Sequence, residues 1–245
     1  MTGRLKVLAY HNIALAPRGA LLPKLYVEPR NFARQMWCLK RLGLRGVSMS
    51  EGLWHLDHGR AGRVVALTFD DGYADNLQNA ACTLRELGFG ATCFIVTGCL
   101  GAYNVWDAEA LRVRKPVMDV RELKTWLGEG FELGSHTRSH PHLNELHPDA
   151  AEAEIVGSRA DLERVAGVKI EHFCYPYGSV NARVARQVEA AGYRSAVTTQ
   201  RGLARVDDNR FLLPRLSVSG RRGLLRFTFK AATPYGAWRR VRIAA

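Results

Sequence analysis

The chain has 245 residues, 47% hydrophobic and 24% charged, a balance that can bury the core of one α/β domain of barrel size and that argues against intrinsic disorder. Its formal charge of +12 sits mostly at one end, because residues 201–245 hold eleven Lys and Arg against Asp207 and Asp208, a net of +9. Five cysteines, Cys38, Cys82, Cys93, Cys99 and Cys174, include no C-x-x-C pair, which argues against both a disulfide framework and a Cys-ligated zinc site.

No window approaches eighteen uninterrupted apolar residues, and the N-terminus MTGRLK lacks the order of a signal peptide. A cytoplasmic protein with reduced thiols is the expectation, with the inner membrane face as a place of peripheral contact. Apolar runs rich in β-branched and aromatic residues alternate with segments of helical period, the pattern of βα units around a parallel sheet. Residues 5–10 read as the first strand and 29–42 as a helix, with Phe32, Met36 and Leu39 on one face, Pro29 near its start and Gly43 past its end. Residues 64–69 form an almost wholly apolar strand, as expected where both faces are buried. A helix over 75–87 stops at Gly88, and 91–96 is the next strand.

The stretch 98–116 is irregular and long enough to be a loop over a site. Asp119 followed by Glu122 marks a capping box and a helix start. A short strand at 131–133, a long helix over 149–166, a strand at 173–175, a helix over 181–191 ended by Gly192, and a strand at 195–198 complete the reading. Six or seven repeats suffice for a barrel. Residues 1–216 read as a single domain and 217–245 as a basic tail.

Three local signals carry chemistry. Thr68-Phe69-Asp70-Asp71-Gly72-Tyr73 places two carboxylates at the end of a buried strand, which is costly unless a cation meets them. An Asp-Gly turn with one Asp capping the next helix accounts for the same residues. In Gly134-Ser135-His136-Thr137-Arg138-Ser139-His140, two histidines spaced i, i+4 share a face of a helical turn and can grip one metal; an incidental surface pair is the alternative. Two His and one carboxylate leave positions open for water and substrate. In Phe173-Cys174-Tyr175-Pro176-Tyr177-Gly178, Pro176 and Gly178 fix a turn, and Tyr177 offers an aromatic wall for a sugar and a backbone N–H for an oxyanion. All three fall at C-terminal strand ends, the rim where a βα barrel collects catalytic groups.

In this order the three motifs resemble the polysaccharide deacetylase (NodB-homology) family, carbohydrate esterase family four, over residues 64–199. Leu8-Ala9-Tyr10-His11 and Leu213-Pro214-Arg215 resemble flanking pieces of its poly-N-acetylglucosamine deacetylase branch. The resemblance implies a deformed (β/α) barrel of about seven parallel strands. It also implies Asp70 as general base, with Asp71, His136 and His140 as ligands of one divalent metal ion. Zinc is the first choice by donor type, and iron, cobalt or nickel fits the same donors. The metal would polarise the acetyl carbonyl and acidify its water, Asp70 would take the proton, and the Tyr177 N–H would meet the oxyanion.

Two departures stand out. Many members carry Arg after the Phe of the third motif where this chain has Cys174, so Arg215 is a candidate to hold Asp70, an ordinary surface ion pair being the alternative. Many members also end on Leu-x-His, which here is Leu216-Ser217-Val218. His11, His142 or a returning Asp70 then remain as candidate acids. Trp106, Asp107 and Asn104 of the irregular loop are candidate sugar contacts, packing of Trp106 against the body being the alternative, and Tyr10, His11 and His142 are expected at the cleft edge.

The expected substrate is an N-acetylated oligo- or polysaccharide or a lipid-linked sugar. A deformylase of a lipid-linked amino sugar would use the same site, and the missing late histidine leaves open a carbohydrate-binding pseudoenzyme. Nothing beyond charge points to nucleic acid. The tail, with seven basic and no acidic residues around Phe227, Phe229, Tyr235 and Trp238, is expected to touch anionic membrane surfaces weakly.

Overall fold

A computed structural model describes residues 3–220, 223–233 and 235. In chain order it contains β1 (Arg4–Tyr10), α1 (Pro29–Arg41), β2 (Arg45–Val47), α2 (Met49–Asp57), β3 (Val64–Phe69), α3 (Ala74–Leu87), β4 (Thr92–Ile95) and α4 (Ala108–Leu111). There follow α5 (Val120–Gly128), β5 (Glu132–Ser135), α6 (Pro148–Ala166), β6 (His172–Cys174), α7 (Ala182–Ala190), β7 (Ser195–Arg201), β8 (Ala204–Arg205), β9 (Leu213–Ser217) and α8 (Leu224–Ala232).

Seven strands pair in parallel around a ring in the order β1, β3, β4, β5, β6, β7, β9 and back to β1. This is the expected barrel, and its deformation is local. β5 and β6 share one register pair, Ser135 with Phe173, and β7 slips against β9 between Val197 and Arg201.

Side-chain alternation along the strands separates two cores. Val65, Leu67 and Phe69 of β3 join the large cluster beneath the outer helices, together with Phe32, Met36 and Leu39 of α1. Val64 and Ala66 join Leu5, Val7, Phe94, Cys174, Val197 and Leu213 inside the barrel, above Met49, Leu53 and Leu56 of α2. Period two therefore carries Asp70, Cys174 and Arg215 to the lumen side.

The helix signals hold at the expected places. Asp119 and Glu122 complete a reciprocal capping box on α5, and Gly88 ends α3 in the left-handed conformation. The irregular stretch is tied down rather than loose: buried Asn104 accepts from the Lys115 N–H and donates to Asp107 and to the Val113 carbonyl. Asn104 is thus a staple of this loop and not a sugar contact.

Residues 43–63, left without elements by the sequence reading, contain β2 and α2. Within 217–245, residues Leu224–Ala232 form α8, whose Phe227 and Ala231 are buried in the large core against α1. Trp238 lies outside the described residues. Among the described residues no helix is long and apolar enough to cross a membrane, and all five cysteines are free, three of them buried.

Candidate active site

β3 delivers two carboxylates in different directions. The Asp70 N–H still follows the strand, donating to the Tyr10 carbonyl at 2.9 Å, so its side chain enters the lumen. Asp71 then takes φ 74° and Gly72 φ 71°, and this left-handed step turns the Asp71 side chain toward the end of β5. A Cβ on Gly72 would lie 3.0 Å from Ile95 Cδ1 at positive φ, which favours glycine there.

Asp70 is clamped. Arg215 on β9 donates from both terminal nitrogens to the two carboxylate oxygens at 2.7 Å each. The guanidinium is itself held by the Thr198 carbonyl at 2.9 Å, Thr68 Oγ1 at 3.1 Å and Cys174 Sγ at 3.2 Å. Arg215 is 2% exposed, so this is a buried bidentate pair and not a surface one. The guanidinium thus reaches Asp70 from β9, two places along the sheet from the β6 strand that carries Cys174. Burial would raise the Asp70 carboxyl, but the charge and hydrogen bonds of Arg215 outweigh it and hold the group below the usual carboxylate range.

Asp71, His136 and His140 converge, their ligating atoms lying within 4.8 Å of one another, all three residues buried. His136 Nε2 and His140 Nε2 are 3.5 and 3.4 Å from Asp71 Oδ1. His136 Nδ1 is 2.6 Å from the Cys174 carbonyl, which fixes the ring and leaves Nε2 for the cluster. Burial again opposes the Asp71 charge, yet the hydrogen bonds of the two imidazoles hold its carboxyl well below the usual range.

The histidine spacing does not act through a helix. Residues 136–140 follow β5 as an irregular turn in which Thr137 and His140 have φ 68° and 61°, and the His140 N–H is anchored by Thr137 Oγ1 at 2.9 Å. Two left-handed residues bring the second imidazole back over the first, at 4.8 Å between ring centroids. Buried, preoriented nitrogen and oxygen donors of this kind suit a divalent metal ion.

The triad and Asp70 lie in a cleft of about 630 Å³ that His11, Trp106, Tyr177 and Arg215 also line. Trp106 stacks on His140 at 4.9 Å and on Tyr73 at 6.3 Å, so it packs against the body and faces the cleft at once. Tyr177, half exposed, takes φ 57°; burial, Asp107 and Asp71 push its phenol up to about 12. His142 stacks on Tyr177 at 4.1 Å on the rim.

His11 Nε2 is 3.8 Å from Asp70 Oδ2. Pro176 is buried beneath this turn and is absent from the described residues that line the cleft, whereas Tyr10 is buried and donates to Gln35 at 2.9 Å. Sequence reasoning missed Lys24, Arg201 and Lys230, which also line the cleft. No motif marks them, because a surface lysine or arginine looks the same wherever the fold sends it.

Residues 57–196 match the family described as polysaccharide deacetylase. YxkH of Bacillus subtilis, whose name places it in the same group, is 28% identical over 218 residues, 88% of this chain and 72% of its own length. The poly-beta-1,6-N-acetyl-D-glucosamine N-deacetylase of Staphylococcus aureus is 24% identical over 201 residues, 79% of this chain and 68% of that protein. In fold, the chain is similar to the Streptococcus pyogenes deacetylase PplD in complex with acetate, with TM-score 0.81 at 24% identity over 96% of this chain and 100% of that one. The chain belongs to the polysaccharide deacetylase family.

Proposed function

We propose that this cleft hydrolyses the N-acetyl amides of an N-acetylated oligo- or polysaccharide, with Asp71, His136 and His140 holding one divalent ion, zinc by preference. The carrying observation is the buried Asp-His-His cluster beside a second carboxylate that a guanidinium keeps ionised. When bound there, the ion would supply Lewis acidity toward the amide carbonyl and lower the pKa of water.

Asp70 accepts the proton of the attacking water, and Arg215 keeps its carboxylate oriented and charged for that task. The oxyanion donor in this reading is the Tyr177 backbone N–H. Trp106 and the Tyr177 ring offer aromatic faces to the sugar on either side of His140. The proton taken by Asp70 returns to the departing amine, directly or through His11, whose Nε2 lies 3.8 Å from Asp70 Oδ2.

The direct test is mass spectrometry of N-acetylglucosamine oligomers, β-1,6-linked among them, incubated with zinc-loaded protein. Loss of an acetyl mass with release of acetate is expected. An N-formylated counterpart run beside them separates deacetylation from deformylation, and recovery of every oligomer unchanged would refute the reading.

A further inference from the structure

The exposed apolar surface is unevenly placed. Trp37 and Leu42 at α1 are 48% and 40% exposed, and Leu224, Leu225 and Phe229 of α8 are 44%, 88% and 56% exposed. The two helices lie side by side, with Cys38 Sγ 3.2 Å from Thr228 Oγ1. Trp37, Leu42 and Leu224 share one shallow groove of about 520 Å³. A contiguous apolar patch of this kind marks an interaction surface.

Charge decides what covers it. Neither α1 nor α8 contains an acidic residue, while Arg30, Arg34, Lys40, Arg41 and Arg226 are exposed on them. Lys40 Nζ lies 5.3 Å from the centroid of the Trp37 ring. Bulky apolar side chains amid cations, on two helices that carry no acid, are the chemistry of an interfacial surface for anionic lipid. Residues 236–245 extend the same composition with Trp238, Arg239, Arg240 and Arg242 and no acid.

We propose that the α1/α8 face docks on an anionic bilayer, with Leu225, Phe229 and Trp37 entering the headgroup boundary and the arginines meeting lipid phosphates. α8 also carries Lys230 into the cleft wall, so the docking face and the cleft share one helix. The proposal is independent of the reaction assigned to the cleft.

Full-length protein is sedimented at low salt with phosphatidylcholine vesicles and with vesicles that also contain phosphatidylglycerol. Binding to the anionic vesicles alone is expected. Leu225→Glu combined with Phe229→Glu should lower the affinity at least about tenfold. Arg34→Glu with Arg41→Glu should weaken it and flatten its salt dependence. All four positions are solvent-exposed, and unchanged circular dichroism confirms folded variants.

Binding as strong to neutral vesicles, or undiminished in both double variants, overturns the proposal. So does loss of binding only on replacing Trp238, Arg239 and Arg240, which would place the contact in the C-terminal residues. A protein that binds no vesicles but forms a dimer dissociated by Leu225→Glu would show that a second copy covers this face.

Discussion

One left-handed backbone step between neighbours in sequence gives Asp70 and Asp71 different chemistry. Asp70 continues the strand into the lumen and meets Arg215, whereas Asp71, at φ 74°, meets two imidazoles. Asp70→Asn keeps shape but cannot take a proton, so kcat should fall about 100-fold or more with metal content near stoichiometric. Asp71→Asn should lose metal first, with activity partly restored by excess metal. Metal analysis beside steady-state kinetics reads both; equal metal loss in the two variants would show the roles to be misassigned.

Arg215→Met leaves Asp70 buried and unpaired, and should cost about 3–5 kcal/mol of stability, seen in urea unfolding. The same variant removes the charge that depresses the Asp70 carboxyl, whose pKa then rises. A base must be ionised, so the acidic limb of kcat/KM should move to higher pH; an unmoved limb would mean that Asp70 is not the titrating base.

At the scale of elements, polar groups also organise the barrel floor. Glu132, opening β5, accepts from the Met49 and Ser50 N–H groups at 3.0 and 3.3 Å and from Thr92 Oγ1 at 2.5 Å, and also binds the Ser50 hydroxyl. It thereby satisfies the start of α2 from another strand. Burial opposes its charge, but His172, Ser50 and Thr92 bring its carboxyl down to about 2 from 4.5.

A depressed folded-state value means that this stabilisation is present above pH 4.5 and is lost as pH falls toward 2. Glu132→Gln should therefore destabilise by on the order of 2 kcal/mol near neutrality, and the gap between the two proteins' urea midpoints should close in acid. A gap constant down to pH 2 would refute the linkage. On the same strand, a Cβ on Gly134 would overlap the Phe94 ring and lie 3.1 Å from the His172 carbonyl. Gly134→Ala should cost about 1–3 kcal/mol, measurable as a lowered Tm.

For the whole molecule, the Asp71, His136 and His140 donors arise from the ends of β3 and β5, with β4 between them, and come together only when the three strands are in register. A metal gripping them binds the folded chain alone. Zinc at 100 times its Kd should then add about 2.7 kcal/mol to the stability of metal-stripped protein and raise Tm by several degrees. His140→Ala should abolish most of that rise in differential scanning fluorimetry. An equal rise in the variant would mean that zinc acts elsewhere.

The alternation of buried strands with amphipathic helices, and the turn residues that end them, are local properties, so the sequence by itself determined the barrel and most element positions. It also placed Asp70, Asp71, His136, His140 and Tyr177 at strand ends, where their chemistry is possible. β2 and α2 escaped because a three-residue strand has no readable period and α2, nine residues long, is too short for its Met49, Leu53 and Leu56 face to stand out as a repeat.

Only the tertiary structure decided that Arg215, 145 residues from Asp70, is its partner, since that contact exists only once β9 closes the ring. The helical turn expected for the two histidines failed for a related reason. Their approach depends on two left-handed residues held by the surrounding packing, and spacing alone does not encode that conformation. The cleft wall of Lys24, Arg201 and Lys230 and the α1/α8 face likewise join residues far apart in the chain, whose shared surface is a product of closure and carries no local pattern.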